Sequence, residues 1–285
     1  MQKIWVCGAR GQIGQAVNDV VDKLEFEMLD TDVDDLDVTD TDEVLRFGEM
    51  NRPDIIINCS GMTDIAACEE NPSRAFKVNA LGARNLAIVA AKMQAKMVQL
   101  STDDVFDGKS TEPYTEFDLV NPGTVYGKSK LAGENYVKEF TTKHFIVRST
   151  WVYGKGQNFI SDFLKKVDAG EQLSIASDQF GSPTSANELA RFLLHLVHTS
   201  EYGTYHATNK GVCSRYAFAQ EILKMTGKTA SMQPVPTVMS DFSKVRPAYA
   251  VLDNFIMSMV PIYDFPDWQD SLREYLEERG LYHAE

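Results

Sequence analysis

Short apolar runs alternate with segments whose apolar residues return every three or four positions through the first half of the chain. Residues 3–7 read as a buried strand and residues 12–24 as a helix. Residues 25–30 form a second strand that ends on Asp30, and residues 42–50 are helical. Residues 54–59 (Asp-Ile-Ile-Ile-Asn-Cys) are an apolar strand, followed by a long helix over 72–93 with Ala and Leu at helical spacing. A strand at 96–101, a helix at 129–139 and a strand at 144–148 complete this half. Strands apolar along their whole length suit burial on both faces. Their alternation with helices predicts an α/β fold, a doubly wound parallel sheet of Rossmann type.

The second half is less regular. Helical patterns cover 158–169, 187–199 and 215–226, with an amphipathic helix at 267–279, and short strands fit 173–176 and 203–207. Gly181-Ser182-Pro183 and the stretch 233–236 punctuate this region. The reading is a dinucleotide-type domain over 1–150 and a smaller α+β lobe over 151–285, with a return of the chain to the first domain left open.

Composition narrows the classes of partner. With 285 residues, 44% of them hydrophobic, the chain can bury a sizeable core. A net charge of −13 gives it no electrostatic reason to bind nucleic acid or an anionic membrane. An anionic ligand then needs a local cation or a helix N-terminus. Cys7, Cys59, Cys68 and Cys213 make no CxxC pair and read as buried free thiols. With no stretch of leader or membrane-spanning character, the expected location is the cytoplasm. The five histidines show no metal-ligand spacing, His195 and His198 reading as helix packing, and no metal is expected.

Gly8-Ala9-Arg10-Gly11-Gln12-Ile13-Gly14 follows the first strand and opens a helix. The first glycine permits a sharp turn, the second lets a pyrophosphate approach the backbone, and the third lets helix and sheet pack closely. The helix N-terminus offers its free N–H groups to phosphates. Asp30 can accept hydrogen bonds from an adenosine ribose, which favours NADH, whereas Arg10 could meet a 2′-phosphate, which favours NADPH. Asp37 and Val38 could flank the adenine.

Tyr126-Gly127-Lys128-Ser129-Lys130 contains YxxxK, a spacing that puts both side chains on one helix face. An ammonium beside a phenol favours the phenolate, so Tyr126 can exchange a proton with a substrate oxygen near neutral pH. Upstream, Leu100-Ser101-Thr102-Asp103 ends a strand with a hydroxyl that can polarise a carbonyl.

The glycine loop, Ser101-Thr102-Asp103-Asp104-Val105-Phe106-Asp107-Gly108, Tyr126 to Lys130, Arg148-Ser149-Thr150-Trp151-Val152-Tyr153-Gly154 and Asp178-Gln179-Phe180-Gly181-Ser182-Pro183-Thr184 resemble the extended short-chain dehydrogenase/reductase superfamily. Within it they are most similar to the dTDP-4-dehydrorhamnose reductase family, and the likeness continues through Arg246-Pro247 and Trp268-Gln269-Asp270-Ser271-Leu272. The resemblance implies hydride delivery from NADPH or NADH to C4 of a nucleotide-linked 4-keto sugar. Tyr126 would donate the proton, Lys130 would tune Tyr126 and bind ribose, and Thr102 would hydrogen-bond the C4 oxygen. It implies cofactor contacts at Gly8, Arg10, Gly11, Gln12, Ile13, Gly14, Asp30, Asp37, Val38, Ser60, Gly61, Thr63, Asn79, Tyr126 and Lys130. Thr102, Asp103, Asp104 and Trp151 would line the substrate site, with Trp151 packing on the sugar or shaping its pocket.

Three departures stand out. Asp104 replaces a tyrosine usual in the family, and Cys59-Ser60-Gly61-Met62-Thr63 replaces a more alanine-rich stretch. Glu188 matches one acid of a magnesium site found at a dimer interface in some members, but Gln15 stands where a second acid would be. A monomer or a homodimer is compatible with this. Two other readings belong to the same superfamily: an NAD-retaining epimerase or dehydratase, and a non-catalytic NADP-binding regulatory subunit.

Overall fold

The structure, a computed structural model, describes residues 1–239 and 248–283; Arg246-Pro247 lies outside them. The chain opens with β1 (Gln2–Cys7), α1 (Gln12–Val20), β2 (Phe26–Thr31), α2 (Thr41–Asn51) and β3 (Ile55–Asn58). Then come α3 (Ile65–Glu70), α4 (Pro72–Phe76), a π-helical turn (Lys77–Gly82) and α5 (Ala83–Met93). β4 (Lys96–Thr102), a 3₁₀ turn (Asp103–Val105), α6 (Val125–Phe140) and β5 (His144–Ser149) follow. The rest comprises β6 (Val152–Tyr153), α7 (Phe159–Asp168), β7 (Leu173–Ala176), β8 (Phe180–Gly181), β9 (Thr184–Ser185) and α8 (Ala186–Val197). It continues with β10 (Gly203–His206), β11 (Cys213–Ser214), α9 (Arg215–Thr226), β12 (Met232–Val235), α10 (Phe255–Met259) and α11 (Trp268–Glu277).

Six parallel strands form the central sheet in the order β2-β1-β3-β4-β5-β10. Alternate residues of β1 face opposite layers, which is why the whole strand is apolar. Ile4 and Val6 pack with Val17 of α1 and Leu189 and Leu193 of α8, whereas Trp5 and Cys7 pack with Val44 of α2, Leu86 of α5 and Val137 of α6. Each such buried side chain contributes about 1.5–3 kcal/mol. All six strands run the same way, so every loop leaving a carboxyl end opens on one edge. Strand order reverses between β1 and β3, the place where open α/β sheets bind ligands.

Beyond residue 150 a second core forms, where Tyr153, Ile160, Phe163, Ile175, Phe218, Trp268 and Leu272 pack together. Between its segments the chain returns to the first domain: α8 lies on α1, and β10 extends the sheet beside β5.

Several boundaries differ from the sequence pattern for local reasons. The helix at 12–24 stops at Val20, because Asp22 caps a turn through Leu24 N (2.8 Å) and through Glu25 and Phe26. β2 runs one residue past Asp30 to Thr31, whose Oγ1 accepts from Trp5 Nε1 (2.8 Å) and whose carbonyl accepts from Gly8 N (2.8 Å) and Ala9 N (3.1 Å). The helix expected from 129 starts at Val125, capped by Thr124 Oγ1 on Gly127 N (3.0 Å). The stretch 72–93 is helical but passes through a π turn.

His206 at the end of β10 is buried, its Nδ1 hydrogen donated to the carbonyls of Tyr114 (3.0 Å) and Asp253 (3.1 Å). Burial and then the Arg148 charge drive its pKa from 6.5 to about 3. The unfolded chain therefore binds this proton first, and stability drains as pH falls from 6.5 towards about 3. His206→Asn is expected to flatten this part of the acid-denaturation curve relative to the parent, followed by circular dichroism. An unchanged slope would contradict the assignment.

Candidate active site

The glycine loop leaves β1 at the carboxyl edge. Gly8 holds φ +78°, and a Cβ there would come within 2.7 Å of Ser60 N and 2.8 Å of the Cys59 carbonyl carbon. Gly14 sits so tightly under Gly8 and Ala9 that a methyl would overlap their backbone. Gly11 caps α1 and supplies no side-chain hydrogen bond, which leaves this helix end to an outside acceptor. Gln12 reaches across to the second lobe through Gln157 O (3.0 Å), and Ile13 packs into the sheet core. A loop turned on glycines at an uncapped helix N-terminus fits a dinucleotide pyrophosphate.

Besides Asp30 and Asp37, further acids stand near this loop. Asp30 is exposed on β2, and Asp37 is exposed with its carboxylate on Thr39 N (2.8 Å). Val38 is buried and its carbonyl accepts from Asn85 (3.0 Å). The loop meets the turn after β2. Asp32 accepts from Arg10 N (2.8 Å), while the Arg10 guanidinium lies 3.0 Å from Asp35 and 3.3 Å from Asp34. Their place was hidden in an acidic stretch where every residue reads alike.

From the end of β3, Ser60 Oγ donates to Asn58 Oδ1 (2.5 Å), and Gly61 and Thr63 follow exposed. Asn79, in the π turn, holds this loop by accepting from Met62 N (2.8 Å) and donating to Met62 O (3.0 Å) and Ser129 Oγ (2.8 Å). Its side chain is spent on shaping the loop against α6.

Tyr126 and Lys130 occupy the first turns of α6, 7% and 5% exposed. The methyl that any other residue would place at Gly127 would overlap the Asp104 carbonyl, so the turn after β4 lies directly on this helix end. That contact seats the turn that follows Thr102 on the end of α6 that carries Tyr126 and Lys130. Thr102 Oγ1 accepts from Asp104 N (3.2 Å) and donates to Asp103 Oδ1 (3.0 Å), with Asp104 Oδ2 at 3.5 Å. Its one proton is available to a substrate oxygen once it leaves Asp103. Asp104 is 1% exposed, so it is an interior group of this turn rather than an outward loop acid. Lys130 Nζ lies 3.7 Å from where a Cβ of Gly61 would stand, which joins the α6 pair to the loop after β3. Burial lowers the Lys130 pKa to about 8, opposed by Glu134 and then Cys59.

Trp151, just past β5, has φ +46°, a strained value for a bulky residue. Arg215 stacks over it at 3.4 Å from the ring centroid, and Gly181 lies against its fused-ring carbons. The indole is built into the lobe as a wall. Glu188 is engaged by Arg191 and by Tyr263 Oη (2.9 Å). Among the described residues no group of His, Cys, Asp and Glu is arranged to hold a metal ion, and no helix is long and apolar enough to cross a membrane.

A glycine loop at an uncapped helix end and the first turns of α6 share one edge of a Rossmann-type sheet. The family model described as RmlD substrate binding domain matches residues 1–280, and the chain belongs to this family, that of the dTDP-4-dehydrorhamnose reductases. A solved dTDP-4-dehydrorhamnose reductase from Clostridium acetobutylicum is 40% identical, with 98% of this chain and 100% of that one covered and a TM-score of 0.95. One from Bacillus anthracis, solved in complex with NADP, is 35% identical over 98% of this chain and 100% of its own, with a TM-score of 0.94. A spore coat polysaccharide biosynthesis protein of Bacillus subtilis, SpsK, is 35% identical over 98% of this chain and 99% of its own.

Proposed function

We propose that this chain reduces the 4-keto group of a nucleotide-linked 6-deoxysugar, dTDP-4-dehydro-L-rhamnose to dTDP-L-rhamnose, at the expense of NADH or NADPH. The observation that supports this reading is the turn after Thr102 packed on the end of α6 that carries Tyr126 and Lys130, on the same sheet edge as an uncapped glycine loop. Family membership supplies the substrate class. A dinucleotide held at the Gly8–Gly14 loop and the loop after β3 would supply hydride for the carbonyl carbon. Thr102 hydrogen-bonds the C4 oxygen, and Tyr126 Oη gives it the proton. Lys130 and the positive end of α6 stabilise the phenolate that remains. Asp103 and Asp104 set the orientation of the Thr102 hydroxyl, and Trp151 walls the sugar pocket. A panel of nucleotide-linked 4-keto sugars tests the substrate: the dTDP-linked rhamnose precursor is expected to give the highest kcat/KM, and preference for another base or sugar overturns that part.

Arg10 bears on the choice of dinucleotide. Its charge is already shared among Asp32, Asp34 and Asp35, so a 2′-phosphate would enter a field of carboxylates. NADH is expected to bind more tightly than NADPH. Asp35→Asn should move the ratio towards NADPH by a few-fold, in line with the roughly 0.2–1 kcal/mol of an exposed ion pair. Separate titrations check this, and a ratio untouched by the substitution contradicts the role given to Arg10. All four cysteines are free thiols, which agrees with work in the reducing cytoplasm, as a monomer or homodimer.

A further inference from the structure

One step below the catalytic strand ends the sheet carries a buried polar row. Register aligns Ser101 of β4 with Arg148 of β5, and Arg148 with His206 of β10. On this row α6 lays Glu134, which is fully buried. Arg148 donates to it from Nε (2.9 Å) and Nη2 (2.7 Å), and Ser101 Oγ donates at 2.6 Å. Burial pushes the Glu134 carboxyl up, but Arg148, Ser101 and Lys138 together hold it below the ordinary range, so it is an anion at neutral pH. Buried ion pairs of this kind are often no more stabilising than apolar residues of the same volume. Stability alone is therefore a weak reason for this one.

Its position suggests another. Tyr126, Lys130 and Glu134 follow one another at intervals of four on α6, a single helix face. Resting on the reductase reading, we propose that Glu134 is a positioning residue for this reaction: clamped by Arg148 and Ser101, it holds the Lys130 ammonium beside Tyr126 and locks α6 to the strand end that carries Thr102. The groups that act on the Lys130 charge are Glu134, one turn on along its own helix, and Cys59, just after β3, while Asp103 and Asp104 lie on the turn packed against the start of α6 at Gly127. Around Glu134 stand Arg148, His206 from β10 and Lys138. The Cys59 thiol is pushed up to about 12 by burial, so it carries no charge near neutrality. Of the two groups that favour the Lys130 ammonium, only Glu134 is then ionised.

Removing that carboxylate disfavours the ammonium, and the lysine pKa falls. In Glu134→Gln the alkaline limb of kcat should move to lower pH by about one unit, the low end of the effect of a near opposite charge. KM should change little, and Glu134→Asp should restore the limb. A uniform loss of activity with an unmoved limb overturns the proposal. Glu134→Gln strands the Arg148 charge, so the double variant Glu134→Gln/Arg148→Met is made as well, and it should show the same displacement. The lysine is also titrated directly by ¹³C NMR of ε-labelled protein, assigned with Lys130→Arg. If the parent turns over no keto sugar, the reductase reading fails and this titration decides alone: a fall on loss of Glu134 supports the proposal, and an unmoved titration overturns it.

Discussion

Tyr126→Phe is expected to lower turnover of a 4-keto sugar nucleotide by at least about 10²-fold, the low end of a general-acid contribution. The change removes one oxygen. The ring stays packed against Cys68, Ala75, Met62, Ile65 and Val125, and the backbone carbonyl still accepts from Ser129 Oγ (2.8 Å). Thermal midpoint and dinucleotide affinity should therefore stay near those of the parent, while kcat and kcat/KM fall together. That pattern marks an interaction made only in the transition state. A variant that keeps its kcat within a few-fold would show that the proton comes from elsewhere.

Gly8→Ala is expected to weaken dinucleotide binding by at least about tenfold, or 1.4 kcal/mol. Two costs combine. A positive φ for alanine costs about 1–2 kcal/mol. The methyl also lands against the backbone of Cys59 and Ser60, at 2.8 and 2.7 Å, where no flexible side chain can yield. Relief requires the loop after β1 to part from the loop after β3, and both face the proposed cofactor. Fluorescence titration with NADH and NADPH measures the effect, and calorimetry separates it from loss of fold. Undiminished affinity in a folded variant would mean that the pyrophosphate does not lie on this loop.

Much of the sheet was legible because its strands are apolar on both faces and short enough to stand out between helices. Gly8 to Gly14 and Tyr126 to Lys130 were legible because their chemistry is written in local spacing. What stayed hidden depends on register. Ser101, Glu134, Arg148 and His206 are far apart in sequence, and only strand pairing and the roll of α6 bring them together. Arg10 and Asp35 are similar: a run of acids gives no sign of which one turns back to the loop. Asn79 is a further case: spacing gives no sign that its hydrogen bonds hold the loop after β3. The helix ends at Val20 and Val125 were misplaced because Asp22 and Thr124 act as local hydrogen-bond partners, a choice that hydrophobic periodicity does not register.

The most direct test of the central claim is the balance between dinucleotide and sugar. Purified protein is mixed with dTDP-4-dehydro-L-rhamnose and a known amount of NADH or NADPH, and both products are quantified. The account predicts one dinucleotide oxidised for each sugar reduced at C4, with the balance lost in Tyr126→Phe. Conversion of the sugar with no net change in the dinucleotide, as in an epimerase or dehydratase, or no conversion at all by the folded, dinucleotide-bound protein, would contradict it.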